Sequence, residues 1–234
     1  MHLSAYTEMS KCITEYMPKD RKYRVVDFGS FSSNEPQTMT HRNLLADHDC
    51  ELIGVDIREG GNVDLVMKKP YQLPLKANSV DVVMSGQVFE HIPFFWASTL
   101  EIARVLKRGG HFFMTVPSRG HQHTPVDCWR YYPDGVRAMA AFAGLEVVDV
   151  RTDFPPKVRH APPAAAPSGL PGGHHHYARI DVENHYWGDT VAVFQKPRRY
   201  PSARVSLVRK PVLWWANRCA DAALPPRARK RRDP

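Results

Sequence analysis

Residues 121 to 135 read HQHTPVDCWRYYPDG and gather two histidines, two carboxylates, a thiol, a guanidinium and three aromatic rings. Histidine, with an ordinary pKa of about 6.5, can take a proton from a hydroxyl near neutrality. Asp127 could orient such a histidine, bind a hydroxyl or complete a metal site, and Trp129, Arg130, Tyr131 and Tyr132 could form the wall for a flat or sugar-like ligand. His174, His175 and His176 could add donors from a Pro/Gly/Ala-rich stretch. A histidine-rich set suits zinc better than magnesium, which prefers oxygen ligands and keeps its waters.

The setting comes from the elements around this stretch. YRVVDFG (23–29), ELIGVDI (51–57), SVDVVMSG (79–86) and HFFMTVPS (111–118) are short apolar runs that read as buried strands. Between them fall helical stretches near 36–48 and in FFWASTLEIARVLKRGG. A further helix over 133–143, stopped by Gly144, leads into LEVVDV (145–150), and DTVAVFQK (189–196) reads as a last strand. Strand and helix alternate at the spacing of a parallel sheet covered on both faces. In such a sheet ligands bind beyond the carboxyl ends of the strands, where the connections diverge. The fifteen-residue cluster follows one of those ends. Three strand ends carry unusual residues: Asp27-Phe28-Gly29-Ser30, then Asp56-Ile57, then Ser85-Gly86-Gln87 with Glu90-His91 just beyond. An acid at Asp56 can accept both hydrogen bonds of a vicinal diol.

These four stretches, VVDFGS, GVDI, LPLKANSVDVVMSGQVFEHI and VLKRGGHFFMTVPS, resemble in order and spacing the motifs of class I methyltransferases that use S-adenosylmethionine, of the small-molecule, type 11-like kind. The resemblance implies an α/β, Rossmann-like, doubly wound sheet of seven mostly parallel strands with an antiparallel last strand. It implies that Asp27, Gly29 and Ser30 surround the methionine part of the cofactor, that Asp56 and Ile57 hold ribose and adenine, and that Ser85 and Gln87 lie near the sulfonium. Backbone groups near Leu73 would reach the adenine. Two positions depart from the pattern: Phe31 and Ser33 replace the second and third glycines, and the acid common before LPF is missing from KKPYQLPL. In the family, Glu90-His91 commonly organises the start of a helix, and Trp129 to Pro133 match a common helix-opening stretch; both carry this structural reading beside a role in substrate binding.

Within 234 residues, the net charge of +8 is uneven. From Lys196 onward there are 12 Lys/Arg and 2 Asp/Glu, which leaves 20 basic and 22 acidic groups in the body. A broad basic cleft for nucleic acid is thus disfavoured, and a small hydroxylated acceptor is the expected partner. The expected reaction is O-methylation of a sugar or glycoside hydroxyl, with His121 or His123 as general base. Magnesium is a candidate cofactor through the resemblance, because some sugar O-methyltransferases use it to hold a diol. The alternatives are an RNA or protein methyltransferase recruited by the basic tail, and a partner subunit that keeps the fold without activity. The four scattered cysteines suggest reduced thiols and a cytoplasmic location, and no apolar run is long enough to span a bilayer. The oligomeric state, a homo-oligomer included, is open. The expected organisation is a domain over 1–196 with a long insertion at about 155–187. A basic extension over 197–234 follows, with one short helix that begins at Pro211 and a flexible end.

Overall fold

The computed structural model describes residues 3–32, 39–122, 126–152, 187–220 and 222–223. Seven strands form one sheet: β1 (Tyr23–Phe28), β2 (Cys50–Asp56), β3 (Leu65–Val66), β4 (Val80–Gly86), β5 (Leu106–Arg119), β6 (Glu146–Thr152) and β7 (Gly188–Gln195). Their order is β3-β2-β1-β4-β5-β7-β6. Neighbours from β3 to β5 pair in parallel, and β7 runs antiparallel between β5 and β6. The mostly parallel, seven-stranded architecture with an antiparallel last strand is therefore present, and strand order reverses between β1 and β4.

Alternation along the strands sorts the core into two layers. Val25, Val82, Met84 and Phe113 point to one face, where Met9, Cys12 and Ile13 of α1 (Leu3–Tyr16) pack on them. Val26, Val83, Phe112 and Met114 point to the other, against α3 (Phe95–Val105) and α4 (Pro133–Ala143). The sequence reading matches α4 and its left-handed stop at Gly144 to the residue. It missed α1 and the two-residue β3. The short α2 (His41–Leu44) occupies part of the helix expected over 36–48. The expected insertion lies outside the described residues but for its last position, Trp187, and the end of the tail lies outside them.

The C-terminal helix needs a correction. α5 spans Ser202–Cys219, so Pro211 sits inside it rather than at its start. Proline removes one interior N–H, and the helix tolerates this where the partner carbonyl, that of the exposed Leu207, can meet water. Val205, Leu213 and Ala216 bury one face of α5.

Glu101 on α3 binds these parts together. Its enclosed carboxylate accepts from the Leu73 N–H at 3.1 Å, from Arg104 Nη2 at 2.7 Å and from Arg209 Nη1 of α5 at 2.8 Å. Arg104 also donates to the Leu73 and Leu75 carbonyls. Glu101→Ala leaves two guanidinium groups without their acid and an N–H without an acceptor, so it should lower stability by about 3 kcal/mol in urea unfolding.

Candidate functional site

The chain leaves β1 at Asp27-Phe28 and folds across the end of β2: the N–H groups of Gly29 and Ser30 both donate to the Val55 carbonyl, at 2.8 and 3.3 Å. Gly29 has φ +81°, and a Cβ there would lie 2.5 Å from both methyls of Val88. Only glycine fits that turn. Behind it, the buried Asp27 carboxylate meets His41 Nδ1 at 2.7 Å. The other ring nitrogen of His41 is enclosed without a partner among the described residues. His41 was not singled out from the sequence; it sits at the start of α2, behind the Thr40 cap, and only the fold brings it to Asp27.

Asp56 ends β2. One carboxylate oxygen accepts the Phe31 N–H at 3.2 Å and the other the Arg58 N–H at 2.9 Å. Phe31, in place of the second motif glycine, lies under the Arg58 guanidinium at 4.0 Å, so the ring is accommodated by turning over the end of β2. Ile57 beside it is exposed. The loop after β2 crosses so closely that a Cβ on Gly54 would come within 1.8 Å of the Asn62 carbonyl oxygen.

At the end of β4, Ser85 is fully buried and its hydroxyl has no partner among the described residues. Gln87 adopts φ +58°, donates its N–H to Thr115 and its side-chain amide to Asp189 at 3.2 Å. Ser4 of α1 donates to the other Asp189 oxygen at 2.7 Å. The first turn of α1, the end of β4 and the start of β7 thus converge on Asp189. Glu90 lies next to this point in the turn Phe89–His91, almost wholly enclosed, with Oε2 unpartnered among the described residues. Burial pushes its carboxyl up to about 8; Asp127 and Asp189 push the same way, while its own amide and Arg130 oppose. Glu90 is therefore neutral near pH 7.

The 121–135 stretch holds itself together differently from the sequence expectation. Asp127 pairs with Arg130, whose Nη2 reaches the carboxylate at 2.7 Å and the His121 carbonyl at 2.7 Å. Asp127 thus serves as the anion of an internal clamp with Arg130. Tyr131 is buried; its hydroxyl donates to the Phe89 carbonyl at 3.0 Å and its N–H to the Pro117 carbonyl, so it is core rather than substrate wall. Tyr132 points out instead. Trp129 is half-exposed, with its indole N–H donating to the Ile92 carbonyl at 3.0 Å and its ring edge-on to Phe95. His91 Nδ1 meets the Val126 carbonyl, which fixes the proton on that nitrogen, and Nε2 lies 3.6 Å from Glu90. His121 is exposed and packs edge-on against Trp187 at 4.6 Å. Leu73 also departs from expectation, because its N–H is already taken by Glu101. His123, His174 and His175 lie outside the described residues. Among the described residues no group of three or more His, Cys, Asp or Glu is placed to hold a metal.

Two carboxylates at adjacent strand ends, a glycine turn between them and enclosed, unpartnered polar atoms on Ser30, His41, Ser85 and Glu90 suit a ligand that carries both an ammonium and a ribose. A family model described as a methyltransferase domain matches residues 38–114. No curated protein matches the sequence. Among solved structures, the chain is similar to one in the complex of the Haloferax volcanii Trm112 methyltransferase activator and a candidate methyltransferase, with 19% identity, TM-score 0.55, and 83% of this chain and 91% of that one covered. It is also similar to YcgJ from Bacillus subtilis (14%, TM-score 0.54, 85% and 100%) and to the Burkholderia thailandensis 1,6-didemethyltoxoflavin N1-methyltransferase with bound S-adenosylhomocysteine (12%, TM-score 0.52, 83% and 79%). The fold is thus one that methyltransferases dependent on S-adenosylmethionine adopt.

Glu90 stays neutral in the fold up to about pH 8 but ionises near its ordinary 4.5 when unfolded. Its contribution to stability is complete below pH 4.5 and is lost as pH rises toward 8. Glu90→Gln should flatten that decline and exceed the parent by up to about 5 kcal/mol at the alkaline end, read from unfolding curves across pH.

Proposed function

We propose that this chain is a methyltransferase dependent on S-adenosylmethionine that methylates a hydroxyl of a small polyhydroxylated acceptor, a sugar or glycoside being the favoured class. The observation that carries the reading is the pair of buried carboxylates, Asp27 and Asp56, at the ends of neighbouring parallel strands on either side of the Gly29 turn. When bound, S-adenosylmethionine supplies a methyl carbon already activated by a positively charged sulfur. In this reading Asp27, braced by His41, and the Gly29-Ser30 backbone hold the amino-acid end. Asp56 accepts from the ribose hydroxyls, and Ile57 covers the adenine. Gln87, tied to Asp189, marks the sulfonium end beside Ser85. Magnesium is not needed by this reading.

The remaining work is alignment and proton removal. Holding nucleophile and carbon in line is worth about 7–11 kcal/mol in well-oriented systems. In transfer to a hydroxyl, a histidine of this chain would take the proton that the acceptor oxygen gives up. His121, two residues beyond the carboxyl end of β5, is the candidate among the described residues, and His123, which lies outside them, is the other one. His91 is a second candidate for a specific reason: with its proton fixed on Nδ1 by Val126, its Nε2 is the basic nitrogen. The exposed faces of Trp129 and Tyr132 suit stacking on an acceptor ring.

Asp56→Ala should weaken S-adenosylmethionine binding by about 10- to 100-fold in calorimetry, the loss expected for hydrogen bonds to a charged group. Turnover on a panel of glycosides with methyl-labelled cofactor should fall by about a hundredfold in one of His121→Ala, His123→Ala or His91→Ala, with cofactor affinity kept. Absence of cofactor binding to the parent chain would return the reading to a non-catalytic partner subunit, and full activity in all three histidine variants would remove the base.

A further inference from the structure

The outward face of α5 combines apolar exposure with a single sign of charge. Leu207 is 78% exposed, Trp214 64%, Trp215 47% and Val208 39%, in a helix whose opposite face is well packed. At about 100° per residue, Leu207, Pro211, Trp214 and Arg218 fall on one line along the helix, flanked by Lys210 on one side and by Arg204, Trp215 and Val208 on the other. Arg204, Lys210 and Arg218 are all exposed. The helix holds four basic residues and no acidic one. The Arg218 guanidinium lies 5.0 Å over the Trp214 ring, so cation and ring share one surface. The aromatic surface continues onto the start of α3: Trp215 meets Phe94 at 4.9 Å, and Phe94 meets Trp96 at 5.7 Å.

We propose that this face of α5 seats the protein on an anionic phospholipid bilayer. The interleaving decides between occupants. The centre of a protein interface takes tryptophan and arginine but is depleted of lysine, whereas a headgroup layer takes indole rings at the level of the glycerol backbone and Lys and Arg alike among the phosphates. A helix fixed by Glu101, Tyr71 and Ala97 on its inner side presents the outer residues already ordered, so binding does not carry the cost of folding the helix on the membrane. Association is peripheral, since no described helix is long and apolar enough to cross a bilayer. Lipid binding by α5 does not depend on the chemistry performed at the strand ends.

The full chain is to be sedimented with vesicles of phosphatidylcholine alone and with vesicles in which about a third of the lipid is phosphatidylglycerol. The expected result is pelleting and blue-shifted tryptophan emission with the anionic vesicles, at least about tenfold weaker binding to the neutral ones, and release on raising salt. The double variant Leu207→Glu/Trp214→Glu should keep the parent's melting temperature, because both side chains lie outside the packing, and lose vesicle binding by about tenfold or more. Failure of the parent to pellet with anionic vesicles overturns the proposal. So does a double variant that pellets like the parent, which would place lipid binding elsewhere in the chain. A lipid-free dimer in sedimentation velocity that the same variant dissociates would assign the face to a second copy instead.

Discussion

Glu101 is an anion on the inner side of α3, enclosed in the protein, and burying it carries a desolvation cost that only direct hydrogen bonds offset. Those bonds come from three separate stretches: the Leu73 N–H, Arg104 one helical turn along, and Arg209 of α5. The carboxylate therefore sets where the 71–75 segment lies and where the last helix docks. Through Tyr71, which touches Phe94 at 5.7 Å, the same arrangement positions the aromatic start of α3, against which Trp129 and Tyr131 pack. A satisfied buried charge is stringent in this way: its partners cannot shift independently without exposing an unpaired donor.

At the carboxyl edge of the sheet the acids are arranged by a similar rule, each with its own donors. Asp56 is held by two backbone N–H groups, Asp27 by His41, Asp189 by Ser4 and Gln87, and Asp127 by Arg130. Glu90 has the least compensation and responds by keeping its proton. The edge thus gathers carboxylates with different partners, and Glu90 among them keeps its proton near neutrality. Backbone turns at Gly29 and Gln87 bring main chain close to the space between them.

The sheet was legible from the sequence because its strands are buried on both faces and read as unbroken apolar runs, and because α4 is framed by a first-turn proline and a terminal glycine. β3 is too short to show a period. α1 hides its apolar spacing, Ala5, Met9, Cys12 and Ile13, among polar neighbours. In α5 the Pro211 signal for a helix start outweighed the residues before it, since sequence alone does not tell that Leu207 is solvated. At the site, strand-end acids were readable by position, whereas partnerships were not. Nothing in the linear order of HQHTPVDCWRYYPDG tells whether Asp127 takes the arginine three residues on or a histidine before it, nor which of two adjacent tyrosines turns inward. His41 reached Asp27 only through the chain reversal at α2.

The placement of β7 between β5 and β6 also bears on the order in which the molecule can be assembled. Among the described residues β6 is an edge strand paired with β7 alone, and β7 comes after it in the chain. During synthesis, β1 to β5 can pair as they emerge, but β6 must wait without a ladder until residues 188–195 arrive to join it to β5. Until then the sheet has an open edge at β5 along Phe112, Phe113 and Met114, a surface that invites pairing with other chains. Closure of this sheet therefore waits on β7: one strand completes two ladders, and a nascent chain cut short of it leaves both β5 and β6 without that partner.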